Sequence, residues 1–157
     1  MQKIVPFFWF DGRAEEAMNF YVKIFKKSKI KTIKYWPKGS PFPADQVMTG
    51  EFVLEGQTFY CFDAGPQFKF TPAISLYVDV KTQKEVDHYY EKLSKGGEKQ
   101  PCAWVLDKFG VSWQIVPEAL PKLMRDKNPE KAMRVMQAML GMHKIDIAKI
   151  KKAFAGK

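Results

Sequence analysis

Arginine is scarce in this sequence, with three residues against 23 lysines. Forked contacts to phosphate and guanine favour arginine, so a net charge of +9 does not by itself describe a nucleic-acid surface. The lysines are also spread along the chain. Their densest runs, "KKSKIK" at 26–31 and "KIKK" at 149–152, fall at the end of one helix and in a terminal one. Nucleic acid is therefore set aside as a partner. Cysteine is equally sparse: Cys61 and Cys102 are far apart, with no CxxC spacing, which excludes a zinc ribbon and a thioredoxin-like motif. They read as small buried hydrophobes inside strand-like runs. The only histidines, His88 and His143, lie on helical segments with no partner in sequence, so no Cys–His nucleophile stands out. Long apolar runs are missing too, well short of the ~20 residues that cross a bilayer. The opening "MQKIVPFFWF" enters a strand-like segment without a signal-peptide cleavage pattern. The expectation is a cytoplasmic protein with no membrane partner.

Aromatic residues, by contrast, are plentiful: thirteen Phe, six Tyr and four Trp in 157 residues. That exceeds what a minimal core needs, so some are candidates to line a cavity. A strand candidate at 4–10 leads through Asp11 and Gly12 into a helix, on which Ala14, Ala17, Met18, Tyr21 and Phe25 recur at helical spacing. Strand-like runs follow at 29–36, 47–55 and 58–64, the last two joined by the hairpin signal Glu55-Gly56-Gln57. After a linker at 65–72 the plan restarts. A strand at 73–80 precedes a helix with the capping box Thr82/Glu85 and the apolar face Val86, Tyr89, Tyr90, Leu93. Gly96-Gly97 ends that helix. A short run at 98–100 and strands at 102–107 and 111–116 follow, with a turn at Gly110 before the last.

A constant offset of 69 lays "EEAMNFYVKIFK" (15–26) on "KEVDHYYEKLSK" (84–95) and brings the first strands into register. Element order and register together point to a β-α-β-β-β unit used twice. The expected fold class is α+β: two such units, 1–64 and 73–117, with helices over 118–154, in a single domain of 1–157. In the tail, Asn128 caps a helix begun by Pro129, Gly141 stops it, and Asp146 caps a last one. Ala132, Met133, Met136, Met139 and Leu140 form a methionine-rich stripe, read as packing against the sheet or as a dimer contact.

The two units, the aromatic-Tyr pair at the end of each first helix and the closing D-K-F-G-x-x-W-x-I-V resemble the vicinal-oxygen-chelate superfamily. That superfamily includes glyoxalase I, extradiol dioxygenases, fosfomycin-resistance enzymes and bleomycin-binding proteins. "WFDGRAEEAMNFY" (9–21), "GPQFKF" (65–70), "DKFGVSWQIVP" (107–117) and "KAMRVMQAMLGMHKID" (131–146) are closer to its PhnB-like branch, which carries the label demethylubiquinone methyltransferase. The resemblance implies curved mixed sheets around a cavity, a small-molecule ligand and a homodimer.

Metal-dependent members take four ligands from the first and last strands of each unit. The matching positions here are Pro6 or Ile4, Asp63 or Cys61, Ala73 and Gln114. One carboxylate and one amide do not make a divalent site, since catalytic zinc or iron needs about three protein ligands. The expectation is no metal and no cofactor, with Gln114 pointing an amide into a pocket. The methyltransferase label meets a similar obstacle, because no GxGxG-type run follows any strand. Candidate pocket residues are Phe8, Asp63, Trp104 and Gln114, with Phe68 and Phe70 as a candidate lid; core packing is the competing reading for each. The leading function is metal-independent binding of a small organic molecule, with turnover left open. The rivals are a metal-dependent lyase, transferase or dioxygenase of the same superfamily, and the methyltransferase.

Overall fold

Eight strands and five helices follow one another in the computed structural model, which describes residues 2–157. They gather into two compact units, Met1–Lys69 and Phe70–Lys157.

The first unit runs β1 (Phe7–Phe10), α1 (Ala14–Ile24), β2 (Lys29–Tyr35), β3 (Val47–Leu54) and β4 (Gln57–Asp63). Its sheet has the order β1-β4-β3-β2, with β1 parallel to β4 and the other pairs antiparallel. Strand β1 starts at Phe7, not Ile4. Pro6 has no amide to give a ladder, and only its carbonyl joins, accepting from the Tyr60 amide. The expected hairpin forms as a two-residue loop, Glu55 and Gly56, both at positive φ, between the paired Leu54 and Gln57. Two register shifts in β2, between Ile30 and Thr32 and between Lys34 and Tyr35, bend that edge.

Helix α1 covers one face of this sheet. Ala14, Ala17, Met18 and Tyr21 are fully buried on it, and Tyr21 stacks on Phe52 of β3. Gly50 makes the fit possible, because a Cβ there would lie 2.7 Å from Cys61 Sγ and 2.9 Å from Met18. Neither Asp11 nor Gly12 caps the helix, and Arg13, the residue before it, forms no side-chain cap.

The second unit repeats the plan: β5 (Leu76–Val80), α2 (Gln83–Leu93), β6 (Glu98–Lys99), β7 (Trp104–Leu106) and β8 (Ser112–Pro117). Its sheet order, β5-β8-β7-β6, matches the first, including the parallel outer pair. Thr82 and Glu85 form the full capping box, and Val86, Tyr89, Tyr90 and Leu93 are the buried face. Tyr90 hydrogen-bonds the Gln100 carbonyl, and burial, then Glu91, pushes its hydroxyl up to about 12. Gly97 lies where a Cβ would meet the Leu106 carbonyl oxygen at 2.1 Å, so β6 approaches β7 only through glycine.

The offset of 69 holds for the helices, since Ala14–Ile24 maps onto Gln83–Leu93. It fails for the first strands. It would set Phe8 on Tyr77, yet Phe8 is buried under α1 and Tyr77 is 53% exposed. Val80, Trp113 and Ile115 are the residues buried on α2's side. The strands have slipped by one residue between the units, which exchanges their faces.

The tail consists of α3 (Ala119–Met124), α4 (Pro129–Leu140) and α5 (Ile147–Ala155). Asn128 and Asp146 cap α4 and α5 as expected. Arg134 donates to the Ala153 and Phe154 carbonyls at the far end of α5. The methionine stripe divides. Val135, not one of its members, is the fully buried residue of α4, while Met133 and Leu140 face outward. Val135 packs with Leu120, Ile145, Ile150, Val116 and Ala103, so α4 meets the other tail helices and the end of β8.

Candidate functional site

Strand alternation gives each sheet a face away from its first helix. In the first unit that open face carries Phe7 and Trp9 of β1 beside Tyr60 and Phe62 of β4. The rings of Phe7, Phe62, Trp9 and Phe68 form one edge-to-face cluster: Phe7–Phe62 at 5.0 Å, Trp9–Phe62 at 4.6 Å and Trp9–Phe68 at 4.9 Å. The Trp9 indole is fixed by donating to the Gly65 carbonyl at 2.8 Å. Of this group only Phe68 is among the pocket candidates expected from the sequence, because the expected parity of β1 and β4 is the opposite of the observed one.

Phe8 and Asp63 belong to the covered face. Phe8 packs among Phe10, Phe52 and Phe59. Asp63 is buried, and its two carboxylate oxygens accept from the Ala14 and Val47 amides, each at 3.0 Å. The carboxylate thereby supplies the cap that α1 lacks locally and holds the start of β3. Cys61, on the same side, has its thiol pushed up to about 12 by burial and then by Asp63, so it carries no thiolate at neutral pH.

In the second unit the open face presents a row across three strands. Gln114 of β8 lies between its ladder partners Tyr77 of β5 and Trp104 of β7. Gln114 Nε2 donates to Ser75 Oγ at 2.8 Å, which leaves Oε1 as an acceptor and the second Nε2 hydrogen as a donor. Burial and the neighbouring Asp79 raise the Tyr77 hydroxyl, and Arg125 opposes them. An open groove of about 630 Å³ continues from Tyr77 and Asp79 to Glu118, Pro121, Lys122 and Arg125. The two linker phenylalanines separate: Phe68 stands on Trp9 in the first unit, and Phe70 faces Gly110 in the second.

Neither implied group fits these residues. Ile4 and Ala73 lie outside the strands and, with Pro6, offer no side-chain donor. Asp63 is committed to two amides, and among the described residues no three His, Cys, Asp or Glu side chains come together as a metal set. For S-adenosylmethionine, a glycine-rich turn between a strand and a helix is needed, and among the described residues Gly12, between β1 and α1, is the single glycine in such a connection. Gly56 belongs to the β3–β4 hairpin and Gly65 to the linker after β4, so no glycine-rich run opens a helix.

One family model, described as 3-demethylubiquinone-9 3-methyltransferase, matches residues 2–116. Among solved structures, the chain is similar to a PhnB protein from Bacillus cereus that bears the same methyltransferase name. Identity is 40% and the TM-score 0.68, over 74% of this chain and 99% of that one. Protein PA1353 from Pseudomonas aeruginosa is 22% identical with a TM-score of 0.64, over 75% and 98% of the two chains. The fosfomycin resistance protein FosX from Listeria monocytogenes, solved with Mn(II) and sulfate, shares the fold at 14% identity and a TM-score of 0.52, over 72% and 90%. None of the curated proteins matches.

Proposed function

The chain belongs to the family described as 3-demethylubiquinone-9 3-methyltransferase, and on that premise we propose that it binds a small organic molecule on the open face of its second sheet, without a metal ion. Its paired β-α-β-β-β units have the vicinal-oxygen-chelate fold. The observation that carries the reading is the Tyr77–Gln114–Trp104 row, an oriented amide between two aromatic side chains. Ligand sites combine apolar walls with a few placed polar groups, and this row has both. Gln114 offers Oε1 as an acceptor beside its second Nε2 hydrogen, and a flat molecule with an N–H or O–H donor, such as an amide or a phenol, matches it best.

Methyl transfer in the sense of the family's name finds no support in the strand-to-helix connections, which hold no glycine-rich run, and a metal-dependent lyase, transferase or dioxygenase finds none in the donor set of the described residues. The exposed Met133 and Leu140 support a homodimer through α4.

Ligand-observed NMR with benzamide, phenol and benzoate tests the reading. Benzamide and phenol bind the wild type, benzoate binds more weakly, and Trp104→Ala stays folded while losing the signal. Binding unchanged in Trp104→Ala, or preferred for benzoate, would sink it.

A further inference from the structure

Cys102 and Ala103 have φ of +58° and +73°, two consecutive left-handed residues with no glycine, immediately before Trp104. Side chains with a Cβ resist this conformation, and a run of two needs something to hold it. The loop between α4 and α5 does so. The Cys102 amide donates to the Met142 carbonyl and the Ala103 amide to the His143 carbonyl, each at 2.8 Å.

The same loop is fastened on its other side to α2. Lys144 pairs with Asp87 at 3.0 Å and with Glu91 at 3.4 Å. Gln83 Nε2 donates to the Ile145 carbonyl, and its Oε1 accepts from the Ile147 amide. Ile145 itself is fully buried. Residues 142–147 follow the 2–116 span of the family match, whereas Gln83, Asp87 and Glu91 lie within it. The loop therefore lies outside the part of the chain that the family model matches.

We infer that the segment Met142–Ile147 is a latch that holds Cys102–Ala103 left-handed and thereby sets Trp104 beside Gln114. The inference rests on reading the Tyr77–Gln114–Trp104 row as the ligand face, and it makes Gln83 and Lys144 positioning residues for that face. Released from the latch, 102–103 relaxes toward extended backbone. Strand β7 then lengthens to the 102–107 run that the sequence pattern favours, and Trp104 moves.

The test uses the full chain carrying 5-fluorotryptophan, whose four tryptophans give four ¹⁹F resonances. In Gln83→Ala the Trp104 resonance shifts by more than its linewidth, and the Cys102 and Ala103 amides exchange roughly tenfold faster. Trp9 and Trp36, in the first unit, stay in place. Should Gln83→Ala fail to fold, Lys144→Gln gives the same shift at smaller amplitude. In Gln83→Ala/Ala103→Gly the Trp104 resonance returns toward its wild-type position, because glycine holds positive φ without the latch. An unmoved Trp104 resonance in both single variants, or no return with Ala103→Gly, overturns the inference. Since the resonance is read without ligand, failure of the ligand reading leaves this result intact. A latch variant that shifts Trp104 yet binds benzamide like the wild type would count against the coupling to the ligand face.

Discussion

The carboxylate of Asp63 accepts a hydrogen bond from the amide of Ala14, 49 residues earlier, and so begins helix α1 from the last residue of β4. A second bond, from Val47, ties in the start of β3. Asp63→Ala strands two buried amides, and the expected loss is about 3 kcal/mol of unfolding free energy. Asp63→Asn retains one acceptor and loses less. Urea denaturation of both variants reads the difference, and a wild-type midpoint for Asp63→Ala would show that the carboxylate is dispensable to the fold.

Gly97→Ala pushes a methyl group into the Leu106 carbonyl and the Asp107 backbone, which cannot rotate away. The expected destabilisation is about 3 kcal/mol, larger than for a flexible clash. Gly56→Ala is the control. A Cβ there meets nothing within 4 Å, so its cost comes only from the positive φ and is about 1 kcal/mol. Thermal melts rank the two, and a reversed order would contradict the close approach of β6 to β7.

These examples also mark what the sequence could reveal. The capping box at Thr82, the Asn128 and Asp146 caps and the Glu55-Gly56 hairpin were readable because each depends on residues within a few positions. Asp63 was not, since its partners come from two distant segments. Strand parity was lost for a similar reason. In β1, Phe7 through Phe10 are all aromatic, so composition does not show which two face α1, and a one-residue error exchanges the faces. The shortened β7 needed the tail, because the carbonyls that hold Cys102 and Ala103 lie forty residues downstream.

The ion pairs of the latch set a pH window. Lys99 and then Lys144 hold Glu91 below the ordinary carboxylate range, and Gln83 and then Lys144 hold Asp87 below it. These depressed values give stability that is present above the unfolded carboxyl range and is lost as pH falls through the folded values. Asp87 and then Glu91 raise Lys144, so that contribution is present below the ordinary lysine value and is lost as pH rises past the folded one. The groups are largely exposed, and screening keeps the total below about 1 kcal/mol. Exchange of the Cys102 and Ala103 amides, corrected for intrinsic rates, should be flat near neutrality and accelerate at both extremes. A correction that leaves no acid limb would remove the ion pairs from the latch.

Met133 and Leu140 lie exposed on one helix, at 48% and 60%. Light scattering of the wild type should give twice the chain mass, and Met133→Glu/Leu140→Glu should give the single-chain mass with α4 still helical. A monomeric wild type would refute the dimer.

The most direct measurement is the benzamide affinity of wild type and Gln114→Ala, each with and without EDTA. The expected affinity of the wild type is the same with chelator, and Gln114→Ala binds about tenfold more weakly in both conditions, the loss of one oriented hydrogen bond. Wild-type binding that disappears with EDTA and returns with one equivalent of a divalent ion would contradict a metal-independent amide site.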